Sequence, residues 1–166
     1  MGDKVPFDST VLVKTTKDGE QFTETLRAQP LCRNQYRLQS SPFYALDISV
    51  GDIVRATMVS GQCEFKKVIS KSGTCTVRVR FIEDVLPDDE NNKIIKALRS
   101  FGCQVDSLTP RFYSVNIPIT IRLEAITSFL KDCDVPWEYG DPSLKSSEGF
   151  QAGLKKRIAS RFKWRN

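Results

Sequence analysis

The sequence of 166 residues predicts an α+β fold built from two lobes. Its first half consists of short runs of alternating apolar and polar residues separated by tight turns, which is typical of antiparallel sheet. From residue 74 onward the pattern changes to strand, helix, strand, strand and helix. We therefore expect a small curled antiparallel sheet or partial barrel fused to a ferredoxin-like βαββα lobe, followed by a C-terminal basic amphipathic helix.

The first lobe is predicted to hold five short strands. The runs at 9–16 and 22–28 flank Asp18-Gly19, a dipeptide that favours a hairpin turn. Gly51 and Gly61 lie in later turns, where a backbone with positive φ favours glycine. The three remaining strands are expected at 34–38, 53–59 and 63–70.

The second lobe begins with a strand at 74–81 that alternates strictly. Its core face would carry Cys75, Val77, Val79 and Phe81, and the opposite face would carry Thr74, Thr76, Arg78 and Arg80. Charge and apolar spacing then predict a helix at 88–101. Two strands, a second helix capped by Thr120 and a short optional strand would follow at 103–108, 111–117, 120–133 and 135–139.

The connections between these elements are too short for independent domains. We expect one compact unit made of a β lobe at 1–72, an α+β lobe at 73–140, and a linker with a basic helix at 141–166. The last helix is predicted because apolar residues recur every four positions in that segment, at Phe150, Leu154, Ile158 and Phe162.

The composition excludes several kinds of chemistry. The chain has no histidine, which removes the usual Ser-His-Asp and Cys-His nucleophiles and makes a zinc site improbable. Its five cysteines include no C-x-x-C pair, and Cys75, Cys103 and Cys133 fall in apolar segments that suit a structural role. The sequence predicts no catalytic residue, no metal site and no cofactor. With no signal sequence and no membrane span, we expect a cytoplasmic protein.

Arg78 and Arg80 are the first candidate partner-binding residues, because two guanidinium groups on one strand face can grip carboxylates or phosphates. The alternative is a solvated strand face, or an ion pair with an acid such as Glu64. Two further features have structural alternatives as well. Residues 42–44 could floor a groove or close a barrel end, and Asp47 with Asp52 could form an acid–base pair or cap turns.

The segment 151–166 carries six basic residues and no acidic ones. Interleaved aromatic residues suit binding to nucleic acid, to an anionic membrane face or to an acidic groove of another protein, whereas a solvated terminus is the structural alternative. The candidate partner-binding residues in this tail are Lys155, Lys156, Arg157, Arg161 and Trp164.

Four stretches carry a family resemblance: ETLRAQPL, YRLQSSPFYALDISVGDIVRA, SGTCTVRV and RFYSVNIP. Their order over about residues 11–136 resembles the bacterial domain-of-unknown-function family 4265. Arg27 stands where the family has tryptophan, and a serine of the Ser40-Ser41 pair stands where it has asparagine. The resemblance implies a fold and a bacterial cytosolic setting, and it transfers no catalytic residues.

These observations favour a protein-binding module that is not an enzyme. The narrower hypothesis is an immunity protein that binds and occludes a cognate bacterial toxin, since such proteins need complementarity of shape and charge rather than chemistry. One alternative is nucleic-acid binding through the basic tail. The other is an enzyme that uses the carboxylates of Asp47 or Asp52.

Overall fold

In the part of the chain that the structure describes, nine strands form two sheets, a closed five-stranded barrel and a four-stranded sheet. The structure is a computed structural model, and it describes residues 9–17, 19–82 and 88–143. Two helices accompany the second sheet within these ranges. Neither helix has the length and hydropathy needed to span a membrane.

The barrel is a meander in which each strand pairs antiparallel with the next. It closes where the first and last strands pair in parallel, at Leu12 and Glu64. Alternate residues of each strand point inward and fill the barrel with aliphatic side chains, including Val11, Leu26 and Val54. The five strands are β1 (Ser9–Lys17), β2 (Glu20–Pro30), β3 (Gln35–Leu38), β4 (Ile53–Val59) and β5 (Gln62–Ser70).

The second sheet has the strand order β7-β8-β6-β9. Its core is apolar and includes Val77 and Val115 of the sheet with Leu98 and Leu130 of the helices, so the helices cover this face. The elements are β6 (Cys75–Arg80), α1 (Asp88–Ser100), β7 (Gln104–Thr109), β8 (Phe112–Ile117), α2 (Leu123–Asp132) and β9 (Trp137–Asp141).

The expected α+β class with a ferredoxin-like βαββα lobe is wrong. The described chain is mostly β, with 50% strand, 16% helix, two helices and two antiparallel sheets. The physical reason is the extent of strand pairing. All five strands of the first half pair with their neighbours and close into a barrel. The segment expected as an optional strand forms β9, which pairs along β6 as an edge of the second sheet. The predicted C-terminal helix lies outside the described residues.

The positions of the individual elements are largely confirmed. All five strands of the first half and both helices lie within a few residues of the predicted ranges. The expected Thr120 cap is wrong, because α2 begins at Leu123 and its N-cap residue, Arg122, makes no side-chain capping bond. The boundaries drawn at 72/73 and 140/141 stay predictions.

The connection between β3 and β4, residues 39–52, is the segment that joins the two sheets. We call it the bridging loop. Ala45 and Ile48 belong to the barrel core. Ser41 and Ser49 hydrogen-bond instead to β7 and β6 of the second sheet, on the face that the helices leave open. The loop is therefore packed between the barrel and the sheet.

Gly51, near the end of the bridging loop, is predicted to tolerate no side chain. Its φ is +85°, and an added Cβ would lie 2.9 Å from Cβ of Ser72. Gly61 is a matched control, because its φ is +80° and nothing lies within 4 Å of an added Cβ. We expect Gly61→Ala to cost about 1–2 kcal/mol of unfolding free energy from backbone strain alone, and Gly51→Ala to cost more. Urea unfolding followed by circular dichroism measures both, and equal losses would contradict the clash.

Candidate partner-binding surface

Glu24 anchors the bridging loop from the barrel side. It shares the inward face of β2 with Leu26 and Ala28, and it is 9% exposed. Its carboxylate accepts the backbone N–H groups of three successive loop residues at 2.5, 3.1 and 2.9 Å. These charge-assisted bonds offset the cost of burying the carboxylate. The residues held in this way are Phe43, Tyr44 and Ala45.

Arg78 anchors the same loop from the sheet side. Its side chain is 2% exposed, which corrects the prediction that Arg78 binds a partner and favours the alternative of an ion pair within the protein. One terminal nitrogen donates to the carbonyl oxygen of Ala45, and the other lies 3.6 Å from a carboxylate oxygen of Glu138. Burial lowers the pKa of Arg78, while the charges of Glu138 and Glu24 act in the opposite direction. The guanidinium therefore serves as an internal support.

Gly140 permits the close packing around Arg78. A Cβ at this position would lie 3.3 Å from Nε of Arg78 and 3.2 Å from Cγ2 of Thr76. The carbonyl oxygen of Gly140 also accepts the N–H of Asp47, so β9 meets the bridging loop through its backbone. A side chain here would force Thr76 or Arg78 to shift by a few tenths of an ångström, so glycine lets the guanidinium lie close to the strand.

Lys71 clamps the end of the bridging loop to the second sheet. Its Nζ donates to the carboxylates of Asp52 at 2.9 Å and Asp141 at 2.5 Å, and to the carbonyl oxygen of Asp47 at 2.9 Å. Burial lowers the pKa of Lys71. The hydrogen bonds and charges of Asp141 and Asp52 outweigh that effect, so the pKa is raised above its ordinary value. The lysine stays protonated between two carboxylates.

Both carboxylates of the predicted acid–base pair hold backbone in place. Asp52 is fully buried and accepts the N–H groups of Ser49 at 2.9 Å and Ser72 at 2.7 Å. The Asp47 carboxylate accepts the N–H and the hydroxyl of Ser143, each at 2.7 Å. This geometry favours the structural alternative for the pair.

An aromatic cluster with an exposed arginine lies beside the anchored part of the bridging loop. The rings of Phe22 and Tyr44 stack with centroids 5.6 Å apart and planes 8° apart. Phe112 meets Phe43 and Tyr44 edge to face at 5.5 and 5.8 Å. The guanidinium of Arg80 lies 4.2 Å from the centroid of Phe112, a cation–π distance. We call these five residues the aromatic surface.

The two arginines that the sequence predicts as one binding pair have different environments: Arg80 belongs to the aromatic surface and Arg78 does not. They do share one face of β6, but the bridging loop covers Arg78 and leaves Arg80 exposed. Phe43 and Tyr44 are half-buried, and Ala45 and Ile48, which follow them in the bridging loop, belong to the barrel core. The two alternatives for residues 42–44, a groove floor or a closed barrel end, stay predictions. The other predicted binding residues, Lys155, Lys156, Arg157, Arg161 and Trp164, lie outside the described residues.

Four of the five cysteines are buried or half-buried, as a structural role requires, and Cys32 is exposed. All five thiols are free, and Cys75 and Cys133 pack against the core of the second sheet. Burial raises the pKa of Cys103 to about 11, which leaves its thiol protonated and a poor nucleophile. No cluster of three or more histidine, cysteine, aspartate or glutamate side chains that could hold a metal ion occurs in the described ranges.

Sequence reasoning missed Glu24, Lys71 and the aromatic partners Phe22 and Phe112. One signal was present: alternation in β2 places Glu24 on the same face as Leu26, and an acid on a core face needs partners. No local pattern identifies Lys71, whose partners are 19 and 70 positions away along the chain.

We predict that Lys71→Met lowers the unfolding free energy by about 1–3 kcal/mol at pH 7, because it leaves two buried carboxylates without their cation. This loss of unfolding free energy is smaller than for a fully buried ion pair, because the lysine side chain is half exposed. Since the folded-state pKa is raised, this stabilisation is complete below the ordinary lysine pKa of 10.5 and is lost as the pH rises through the folded-state value. Urea unfolding from pH 7 to 11.5 should show the unfolding free energies of wild type and variant converging at the alkaline end.

The control is Lys96→Met at an exposed site, which should stay within about 0.5 kcal/mol of wild type at every pH. If the difference between wild type and Lys71→Met does not narrow as the pH rises, the role given to Lys71 is contradicted.

Comparison with known proteins places the chain in a family. A hypothetical protein from Neisseria gonorrhoeae, known from its crystal structure, is similar in fold, with a TM-score of 0.72 and 17% sequence identity over 83% of this chain and 97% of that one. No curated protein matches the chain. The family model described as a domain of unknown function, DUF4265, matches residues 24–137, which run from β2 of the barrel to the start of β9 in the second sheet. The chain therefore belongs to the DUF4265 family.

Proposed function

We propose that the chain is a protein-binding module, without enzymatic activity, whose partner docks on the aromatic surface. The observation that carries the proposal is the exposed Arg80 lying over Phe112 beside the half-buried ring of Tyr44. Phenylalanine, tyrosine and arginine are the residue types enriched at protein–protein interfaces, and tyrosine and arginine dominate binding hot spots.

The surface is rigid before binding. Glu24 fixes the backbone of Phe43 and Tyr44, and Arg78 fixes Ala45 from the opposite side. The stacked Phe22 ring further restricts Tyr44. A partner that docks here therefore has little loop and side-chain entropy to remove, which leaves more of the contact energy for affinity.

The chemistry of the surface defines its partner. The Arg80 guanidinium lies within cation–π distance of the Phe112 ring, and a guanidinium can donate two parallel hydrogen bonds to a carboxylate. Phe112 itself is buried, and the half-buried rings of Phe43 and Tyr44, which contact it, offer part of their apolar area near that charge. We expect the partner to present an aspartate or glutamate within an apolar patch.

The narrower proposal is an immunity protein that occludes a cognate toxin. Occlusion needs a preformed surface and no reactive group, and a rigid aromatic surface with a central charge is suited to it. The absence of histidine, on which the sequence argument rests, fits the same role.

We expect Arg80→Ala and Tyr44→Ala each to weaken partner binding by about 10-fold or more, the usual effect at a hot spot. The test co-expresses the full chain with the product of the neighbouring gene, isolates the complex and measures its affinity by calorimetry. Arg80→Lys keeps the charge but loses the flat paired donors, so it should weaken binding as well. Lys96 is an exposed residue of α1, and the control Lys96→Ala should leave the affinity for the partner unchanged.

Two results would count against the proposal. A neighbour that is neither toxic nor bound removes the immunity hypothesis. A complex whose affinity is the same for wild type, Arg80→Ala and Tyr44→Ala removes the aromatic surface as the binding site. If the neighbour is toxic, growth rescue by wild type and its loss with Arg80→Ala would support the narrower form.

A further inference from the structure

A row of exposed basic side chains crosses the outer face of the barrel. On the strands that carry them, every second residue points into the barrel interior. Leu26, Ala28, Leu38, Val54 and Ala56 point inward and are buried, and the basic residues between them point outward. We call this row the basic stripe. It consists of Arg27 on β2, Arg37 on β3, Arg55 on β4 and Lys67 on β5.

The strand register makes the stripe continuous. Arg55 lies directly opposite Lys67, and residues paired in this way have Cβ atoms about 5 Å apart. Arg37 is opposite Ile53, so it is a diagonal neighbour of Arg55. The carbonyl oxygen of Arg27 accepts the N–H of Gln39, which makes Arg27 the diagonal neighbour of Arg37. Diagonal neighbours lie about 7–8 Å apart, within reach of one extended ligand.

Among the residues that the structure describes, no acid neutralises the stripe. None of its four side chains forms a salt bridge with any described carboxylate. The acid nearest along β5, Glu64, pairs instead with Lys14 at 2.9 Å and Lys66 at 3.4 Å. Like charges directly opposite each other, as at Arg55 and Lys67, destabilise a sheet. Stability therefore does not account for the arrangement.

The remaining outward residues of β2 and β3 favour a ligand that carries phosphate groups. They are threonines and glutamines, and no aromatic ring shares the outward face of these two strands. A protein interface would be expected to carry aromatic residues and little lysine. Arginine, lysine, threonine and glutamine are instead the side chains that hydrogen-bond to phosphate oxygens.

We infer that the basic stripe binds the sugar–phosphate backbone of a nucleic acid without reading its bases. This activity is separate from docking on the aromatic surface and from the basic tail. Four phosphate contacts give a definite salt dependence. For a single strand, the logarithm of the binding constant should fall by about 0.7 for each contact per tenfold rise in salt, so the stripe adds about 2.8 to the slope.

The test measures binding of the full chain to a fluorescein-labelled oligothymidylate of 20 nucleotides by anisotropy, from 50 to 200 mM KCl. Arg37→Gln with Arg55→Gln should reduce the slope by about 1.4, equivalent to about a 7-fold smaller loss of affinity over this range. The control, Lys93→Gln with Lys96→Gln on α1, removes the same charge from exposed sites away from the barrel and should leave the slope unchanged. The stripe variant should melt at or above the wild-type temperature, because it relieves the Arg55–Lys67 repulsion.

Equal slopes for wild type, stripe variant and control would overturn the inference and assign any binding to the tail. Tighter binding of labelled polyglutamate than of the oligonucleotide at the same salt concentration, lost in the stripe variant, would overturn it too, because the preferred ligand would then be an acidic polypeptide. Failure of the aromatic-surface variants to affect oligonucleotide binding is expected, and it keeps this test independent of the protein-binding proposal.

Discussion

The bridging loop is positioned by two buried charges of opposite sign, Glu24 in the barrel and Arg78 in the sheet. The carboxylate accepts the N–H of Ala45 and the guanidinium donates to its carbonyl oxygen, so one peptide segment is held from both sides. Each charge is costly to bury alone, and removal of either would leave the other without compensation. The placement of Tyr44, the contact between barrel and sheet and the exposure of Arg80 all depend on this arrangement.

The sequence predicted which residues of β6 share a face, but it did not predict what that face meets. Strict alternation at 75–81 correctly separates Val77 and Val79 from Arg78 and Arg80. Periodicity describes a strand relative to its own axis, and it contains no information about a loop that folds onto one half of the strand. Arg78 therefore lies inside the protein while Arg80, two residues later, remains at the surface.

The difference between local pattern and tertiary contact also explains why the elements were predicted correctly and the fold class was not. Turns such as Asp18-Gly19 and the apolar stripe of α1 are local, and the elements that they define were found in place. The fold class depends on tertiary pairing. Whether residues near 137 form a strand is decided by the open edge of β6, to which Trp137 and Tyr139 pair. Of the candidate surface, Arg80, Phe43 and Tyr44 were visible in the sequence, whereas Phe22 and Phe112 come from distant strands.

The closure of the barrel has a consequence for its motion. The described chain joins β1 to β5 through one parallel pair, Leu12 with Glu64, whereas the other strand neighbours are joined by ladders of several pairs. Local opening follows the fewest backbone hydrogen bonds, so amide protons along this line should exchange with solvent before those of β2 or β4. The barrel is therefore expected to open locally between β1 and β5. The strands that carry Arg27, Arg37 and Arg55 would keep their spacing, because they are joined by longer ladders.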